Sequence, residues 1–345
     1  MSIFKLPFFI AEMSANHMGS FSHAKKLIKC AKDNGADAIK LQTFTADTMT
    51  IKSNKKYFQI KKGLWKNKNL WNLYNEAHTP LEWHKLLFDY AKKIGILIFS
   101  TPFDESAVDF LEDLNCPIYK VASFEMTDIP LIKKISSTKK PIIISTGMAT
   151  MNEIEYTFKV AKKYGSKDIT LLYCVSNYPS KISDFNLNNI KILKKKFNCT
   201  IGFSDHSQND LVAFSAVSAG AQIVEKHIAL GGQKKGLEIK FSLKGGEIKK
   251  FSTKINLAKN LIGKDYFSRS KSENRSKKFR RSIFVIKSIK KGEQFSINNI
   301  KSIRPGYGLS PINFDKILKK RSPQNINEGI PLTRKILKKV KIKFS

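Results

Sequence analysis

Two lysines stand inside apolar segments of the sequence, Lys40 in AIKLQT and Lys120 in IYKVAS. A buried charge is costly unless it is paired or reaches a ligand. The partner could be an internal carboxylate, such as Glu12 or Glu225, or an anionic substrate. Hydroxyl side chains end other apolar segments at Thr101, Ser123, Ser145 and Ser204. Two lysines with several hydroxyls favour a site for phosphate and carboxylate groups, and a Schiff-base lysine is the competing interpretation.

Two of the six histidines, His206 in GFSDHS and His227 in VEKHIAL, follow or close consecutive apolar segments. Taken singly, each is more typical of a structural or acid–base histidine. Two imidazoles at the ends of adjacent strands, however, can converge on one divalent ion, with water or substrate completing the coordination. The pair therefore predicts a metal site, for which His17 is a weaker candidate.

Eight short apolar segments rich in Ile and Val alternate with amphipathic stretches, such as 23–34, 105–114 and 153–164, that are typical of helices. The predicted strands are 8–13, 37–43, 97–101, 117–122, 141–145, 170–174, 200–204 and 223–227. This alternation predicts a parallel sheet covered by helices, and eight repeats favour a closed (β/α)₈ TIM barrel. The unusual polar residues fall at the carboxyl ends of these strands, where barrel enzymes place their chemistry.

The sequence predicts three parts: a catalytic barrel at 1–264, a polar linker at 265–280 and a small, mostly β domain at 281–345. Short strands are expected at 281–286 and 300–304 in the last part. Within the barrel, the longest gap between strands is 44–96, which carries Trp65, Trp71 and Trp83. We expect this excursion to lie near the barrel mouth.

The composition limits the possible partners. The chain has 345 residues, with 62 Lys+Arg against 28 Asp+Glu, for a formal net charge of +34. Nucleic acid is the first partner to consider, but lysines greatly outnumber arginines and are spread over the whole chain, so we expect no specific nucleic-acid binding. No long uninterrupted apolar run predicts a membrane span, and no secretory signal is recognised. Four dispersed cysteines predict no disulfide framework, so we expect a cytoplasmic protein.

Several motifs together resemble the sialic acid (nonulosonic acid) synthase family. They are IAEMSANHMG, GADAIKLQTFTADT, FSTPFDESAVDFLE, YKVASFEMTDIPLI, PIIISTGMAT, IGFSDHS, VEKHI and RPGYGLSP. These enzymes are transferases that condense phosphoenolpyruvate with an amino-sugar. The resemblance covers essentially the whole chain and implies a (β/α)₈ barrel joined to an antifreeze-like (SAF) domain, in a homodimer with swapped SAF domains.

The resemblance also implies roles for individual residues. Mn²⁺ is the expected metal, with Co²⁺ or Mg²⁺ possible, held by His206 and His227. Glu12 is the expected catalytic carboxylate, acting with Lys40, Lys120 and Glu225. The residues implied to bind phosphoenolpyruvate are Lys40, Thr101, Lys120, Ser123, Ser145 and Ser204. Those implied to face the sugar are Gln42 and Tyr178, while Arg304 would reach the partner subunit's barrel. Glu238, which stands where many family members have Asp, is a further expected substrate-binding residue, and the longer side chain could alter contact with the sugar or with a metal-bound water. Ser176 replaces an Asn common in neuraminate synthases.

Within the family, SANH after Glu12 and LQTFTADT after the second strand most resemble members that make pseudaminic acid. The expected sugar is then 2,4-diacetamido-2,4,6-trideoxy-L-altrose, which would yield pseudaminic acid and phosphate by C–O cleavage. The alternatives left open are an N-acetylneuraminate or legionaminate synthase, a catalytically degenerate family member and a basic nucleic-acid-binding protein.

Overall fold

Eight parallel strands close into a barrel in the first part of the chain. The computed structural model describes residues 7–264 and 266–342, so residues 1–6, 265 and 343–345 of the predicted domains lie outside the described residues. The strands are β1 (Phe8–Glu12), β2 (Ala38–Thr43), β3 (Leu97–Pro102), β4 (Tyr119–Val121), β5 (Ile142–Ser145), β6 (Ile169–Cys174), β7 (Thr200–Asp205) and β8 (Ile223–Ala229). Each strand pairs with the next, and β1 pairs with both β2 and β8. The predicted (β/α)₈ barrel is confirmed.

Helices follow the strands because the intervening sequences carry an apolar stripe at helical spacing. They are α1 (Phe21–Asp33), α2 (Ala46–Met49), α3 (Leu70–Ala77), α4 (Leu81–Ile94), α5 (Glu105–Asp113), α6 (Ile129–Ser137), α7 (Met151–Lys163), α8 (Asn188–Phe197), α9 (Asp210–Ser218) and α10 (Gly246–Ile262). Side chains fix several of the starts. The Thr150 hydroxyl accepts a hydrogen bond from the Glu153 N–H, and Glu153 accepts one from the Thr150 N–H, which is a capping box.

The side chains along each strand alternate between the barrel interior and the outer face, which packs against the helices. Side chains at successive strand positions point to opposite faces, so in β2 the pair Lys40 and Gln42 faces the barrel interior. Thr43 lies on the other face, where its hydroxyl oxygen is 2.9 Å from Nε2 of His84 on α4. The outward-facing apolar residues and the helices form one continuous core. The barrel thus fixes the depth and direction of every side chain at the strand ends.

Two additions modify the barrel. The segment between β2 and α4 contains α2, a short 3₁₀ turn (Lys56–Phe58) and α3, and it extends over the barrel mouth. A two-residue strand, β9 (Leu243–Lys244), pairs with the end of β8. Among the residues that the structure describes, no helix is long and apolar enough to cross a membrane.

The chain divides into two compact units, residues 1–263 and 264–345. The second unit begins with a short helix, α11 (Lys271–Arg275), and contains an antiparallel pair, β10 (Ser282–Val285) and β11 (Ile300–Ile303), and a short α12 (Phe314–Ile317). Its own small core includes Ile283, Phe295 and Leu332. The predicted mostly β character of this domain is confirmed.

Candidate active site

A cavity of about 320 Å³ opens at the carboxyl ends of the barrel strands. His17, the weaker metal candidate, is not among the residues that line this cavity, and its Nε2 lies 3.3 Å from Oγ1 of Thr79. The other site residues predicted in the barrel all contribute to the lining: Glu12, Lys40, Gln42, Thr101, Lys120, Ser123, Ser145, Tyr178, Ser204, His206, Glu225, His227 and Glu238. The remaining one, Arg304, follows β11 in the second unit and is exposed. Side chains that are scattered over more than two hundred residues of sequence therefore share one pocket.

Two lysines and two glutamates form the charged centre of the cavity. Lys40 forms an ion pair with Glu12, and its Nζ lies 3.8 Å from Oε2 of Glu225. The Nζ of Lys120 lies 4.0 Å from Oε1 of Glu225, so this carboxylate stands between both ammonium groups. All four side chains are buried. The internal-carboxylate partners that the sequence left open for the lysines are therefore present.

This arrangement moves the pKa values of the two carboxylates in opposite directions. Burial raises the pKa of Glu12, although the Lys40 charge opposes the change. Burial would also raise the pKa of Glu225, but the charges of Lys120 and Lys40 outweigh it and hold that pKa at about 2. Burial lowers the pKa of Lys120, against the effect of Glu225. Carboxylates with pKa values pushed apart are typical of sites where one acts as a base and the other keeps its charge.

Hydroxyl groups surround the ammonium groups. Lys120 donates hydrogen bonds to Oγ of Ser145 (2.6 Å) and to the carbonyl of Val121 (2.9 Å), while Lys40 donates to Oγ1 of Thr101 (3.1 Å). Ser204 donates to Oε1 of Glu225 at 2.9 Å. These contacts give an anion entering the cavity a choice of ammonium and hydroxyl donors.

The Ser123 hydroxyl belongs to the same donor set and depends on a glycine. It accepts a hydrogen bond from the N–H of Gly147 at 3.2 Å. A Cβ at Gly147 would lie 2.7 Å from this hydroxyl oxygen, so the close approach requires glycine.

The imidazoles of His206 and His227 lie side by side, with ring centroids 5.4 Å apart. Burial lowers the pKa of His206 to about 3, and the neighbouring His227 adds to the effect, so His206 is neutral. Its Nδ1 lies 3.1 Å from the carbonyl oxygen of Val175, which orients the ring. Tyr178 packs against the His206 ring at 4.4 Å, and Phe241 packs against the His227 ring at 4.9 Å. Aromatic side chains thus fix both imidazoles.

Glu238 approaches this pair from the loop after β8. Its Oε2 lies 3.3 Å from Nδ1 of His227 and accepts a hydrogen bond from the N–H of Ala15. Burial alone would raise the pKa of Glu238, but the contact with His227 and the donors near Ala15 lower it. The longer glutamate side chain therefore does reach the imidazoles.

The donor set is compatible with a divalent ion at an open site. Within residues 7–264 and 266–342, no three His, Cys, Asp or Glu side chains are arranged as a ligand cluster. Nδ1 of His227 is nevertheless buried, and Oε2 of Glu238, although 3.3 Å away, is not aligned for a hydrogen bond, so within those residues this nitrogen accepts or donates none. A neutral imidazole beside an imidazole with an unsatisfied buried nitrogen fits a two-histidine site that water or substrate completes.

Sequence comparison places this site in a known family. The sequence model of the NeuB family matches residues 27–266, and that of the SAF domain matches residues 280–337. The chain belongs to the NeuB family. This confirms the resemblance to the sialic acid synthases and the predicted SAF domain.

Relatives of this NeuB-family chain include enzymes named for one sugar acid. It is 42% identical over 325 residues to the pseudaminic acid synthase of Campylobacter jejuni subsp. jejuni serotype O:2, which is 94% of this chain and 95% of that protein. It is 40% identical over 328 residues to the pseudaminic acid synthase of Helicobacter pylori, covering 95% and 96%. The crystal structure of N-acetylneuraminic acid (sialic acid) synthetase from Leptospira borgpetersenii in complex with citrate superposes with a TM-score of 0.70, at 31% identity over 78% of this chain and 89% of that chain.

The NeuB-family cavity also has an apolar wall that the strand-end reasoning missed. Most of it comes from the segment between β2 and α4: Phe44, Met49, Ile60, Trp65, Leu70, Leu73, Tyr74 and Ala77. Of the three tryptophans in the excursion expected near the mouth, Trp65 lines the cavity whereas Trp71 and Trp83 do not. Nε1 of Trp65 donates to the carbonyl of Leu237 at 3.1 Å. The other members were not recognised because their apolar side chains look like ordinary core residues in the sequence. The lining of the cavity therefore combines an ionic part from the strand ends with an apolar part that comes mostly from this segment.

Glu125 is a further lining residue that was missed. It follows β4, two positions after Ser123, and its Oε2 is buried without a hydrogen-bond partner among the described residues. Burial raises its pKa to about 7. The rule that found the other residues, polar side chains directly after a strand end, would have identified it too.

Proposed function

We propose that the chain is a pseudaminic acid synthase that condenses phosphoenolpyruvate with 2,4-diacetamido-2,4,6-trideoxy-L-altrose. The proposal is supported above all by one observation: Lys40 and Lys120, with their hydroxyl partners, lie in the same cavity as His206 and His227. The lysines and hydroxyls provide a part of the cavity that can bind anions. The two histidines provide a neighbouring part where a carbonyl group could be polarised. The relatives named pseudaminic acid synthase support the choice of sugar.

The two lysines would bind the phosphate and carboxylate groups of phosphoenolpyruvate. Four hydroxyls would complete the binding, those of Thr101, Ser123, Ser145 and Ser204. Glu225 lies near both ammonium groups, where its charge helps to raise the pKa of Lys40 and opposes the lowering of the pKa of Lys120 by burial, so these donors are in place before substrate enters. Fixed charges of this kind require little reorganisation during the reaction. Gln42 and Tyr178 would contact the sugar.

The carbon chemistry then follows from the substrates. C3 of phosphoenolpyruvate attacks the aldehyde carbon of the open-chain sugar, a C–C bond forms, and positive charge develops at C2. Water adds to C2 and gives up a proton, for which the buried Glu12 carboxylate is the proposed base. The bond from C2 to the phosphate oxygen breaks, the C2 hydroxyl gives its remaining proton to the departing phosphate, and C2 becomes the ketone. The former aldehyde oxygen takes a proton and becomes a hydroxyl group.

His206 and His227 would hold the divalent ion, Mn²⁺ in the first place and Co²⁺ or Mg²⁺ as alternatives. When bound, such an ion supplies Lewis acidity toward the sugar aldehyde. Glu238, next to His227, would orient that imidazole through its negative charge. Arg304 would reach the partner subunit's cavity in a homodimer with exchanged SAF domains, which makes activity depend on assembly.

Substrate turnover tests the proposal. Purified protein is given phosphoenolpyruvate, Mn²⁺ and one sugar at a time: the trideoxy altrose, the legionaminate precursor or N-acetylmannosamine. We expect phosphate release and a nine-carbon product with the altrose derivative, and ¹⁸O in the bridging position of phosphoenolpyruvate should leave with phosphate. A reaction without sugar and a reaction with excess chelator serve as controls.

Other outcomes would point to the alternatives. Turnover only with N-acetylmannosamine or only with the legionaminate precursor would replace the proposed sugar while keeping the reaction. Sugar binding without turnover of any of the three would indicate a catalytically degenerate family member. Retention of ¹⁸O in the sugar acid would contradict C–O cleavage.

A further inference from the structure

A buried ion pair joins the two strand residues that immediately precede the two histidines. Asp205 on β7 and Lys226 on β8 are paired in the strand register, and Nζ of the lysine lies 2.9 Å from Oδ2 of the aspartate. Their side chains are 0% and 3% exposed. Asp205 immediately precedes His206, and Lys226 immediately precedes His227. The ion pair therefore connects the two strands at the residues next to the imidazoles.

The pair does not belong to the cavity itself. Ser204, Glu225 and His227 line the cavity, whereas Asp205 and Lys226 do not. Because strand side chains alternate between faces, these two point to the outer side of the barrel wall. Neither side chain is positioned to touch a substrate in the cavity.

Further hydrogen bonds extend the pair around the end of β7. Oδ1 of Asp205 accepts from the N–H of Ser207 at 2.8 Å, and Lys226 donates to the carbonyl of Ser207. The carbonyl of His206 accepts from the N–H of Ser180 at 3.0 Å. The backbone on both sides of His206 is thus held, and one of its anchors is a side chain of β8.

Stability alone is a weak explanation for this pair. Removing two charges from water costs several kcal/mol per ion, and well-packed apolar side chains often replace such a pair without loss of stability. Apolar contacts, however, do not fix the relative orientation of two strands as an ion pair with directed hydrogen bonds does. The ion pair and its bonds to Ser207 fix where β7 ends relative to β8.

We propose that the Asp205–Lys226 ion pair is a positioning device that keeps His206 and His227 converged on a shared divalent ion. This inference rests on the proposed metal site, to which it adds two positioning residues that are not ligands. Partners that orient metal ligands typically change metal affinity by about 10–100-fold when they are lost.

The test replaces both charges at once in the full-length chain, as Asp205→Leu/Lys226→Met, so that no buried charge is left unpaired. Mn²⁺ alone is titrated into metal-free protein by calorimetry, and thermal unfolding is followed in the presence of chelator. We expect the dissociation constant for Mn²⁺ to rise about 10–100-fold while the melting temperature of the metal-free protein stays close to that of the wild type. A purely structural pair would lower the melting temperature and leave the metal affinity unchanged.

A matched control makes the same changes at an exposed ion pair between α9 and α10, as Asp210→Leu/Lys254→Met. It should bind Mn²⁺ as the wild type does. If the buried double variant does not fold, Asp205→Asn keeps the side-chain shape and an acceptor for Ser207 while it removes the ion pair, and it should also raise the dissociation constant. Wild-type affinity in either folded variant would overturn the inference. Absence of Mn²⁺ binding to the wild-type protein would instead overturn the metal site, and this inference with it.

Discussion

Replacing Lys120 by methionine tests the proposed anion site most directly. This side chain is 2% exposed, donates hydrogen bonds to Ser145 and Val121, and lies 4.0 Å from Glu225. Methionine has a similar length and removes only the charge and the donors. We expect the folded Lys120→Met variant to bind phosphoenolpyruvate more weakly, because one of two buried ammonium groups in the cavity is gone.

The contacts indicate the size of two separate effects. A hydrogen bond to an ionised group contributes about 1.5–3 kcal/mol, so a loss of about 2 kcal/mol weakens phosphoenolpyruvate binding about 30-fold. Leaving a buried charge without any partner costs about 3–5 kcal/mol. Glu225 still has Lys40 at 3.8 Å and the Ser204 hydroxyl at 2.9 Å, so the free energy of unfolding should fall by less, about 2 kcal/mol.

Two measurements separate these effects. Calorimetric titration with phosphoenolpyruvate, without metal or sugar, gives the affinity, and urea unfolding gives the stability. The double variant Lys120→Met/Glu225→Gln should recover stability but not affinity, since the carboxylate charge that lost one of its ammonium partners is gone and the ammonium donor is still missing. Lys134→Met removes a partly exposed lysine that is paired with Asp109 and lies away from the cavity, and it should change neither quantity. Wild-type affinity for phosphoenolpyruvate in folded Lys120→Met would refute the anion site.

Three further predictions concern other parts of the chain. His206→Ala and His227→Ala should each abolish Mn²⁺ binding and turnover while the melting temperature of the metal-free protein changes little; full activity in either would contradict the metal assignment. Arg304→Ala should lower kcat without unfolding the protein, and equal activity of a diluted monomer would contradict the exchanged SAF domains. Burial lowers the pKa of His84 to about 4, so the unfolded chain binds more protons below pH 6.5. His84 alone should contribute about 3 kcal/mol of stability that is lost as the pH falls from 6.5 to 4. His84→Gln should make this part of the pH–stability curve less steep in urea unfolding.

The barrel was predictable because each strand carries its own signal. A strand buried on both faces needs a nearly continuous apolar run, and the runs ending at Ser145 and Cys174 end at the same residues in the structure. The predicted strand 117–122 is longer than the observed β4, Tyr119–Val121. Ile118 is apolar because it is buried in the core, yet it does not take part in the ladder, and Pro117 is exposed; composition alone cannot make these distinctions.

The site was predictable where function imposes polar residues on an apolar strand. Lys40 and Lys120 are conspicuous because nothing in a barrel core needs an ammonium group. Lys226 is equally conspicuous within IVEKHIA, yet its role depends on the side of the strand it faces and on Asp205 as its register partner. Strand register is a tertiary property, so the sequence shows the charge without showing its partner.

The two walls of the cavity have different structural origins, and this difference bears on specificity. The ionic wall comes from strand ends whose positions are fixed by the closed ladder, so its charges cannot move independently of the barrel. The apolar wall comes largely from the segment between β2 and α4, with Ile60 and Trp65 in irregular stretches. Connecting segments tolerate change far better than ladder strands. If the proposed site assignments hold, the binding of phosphoenolpyruvate is tied to the fold, whereas the fit to the methyl and acetamido groups of the sugar would depend on an apolar wall that can vary without disturbing the barrel.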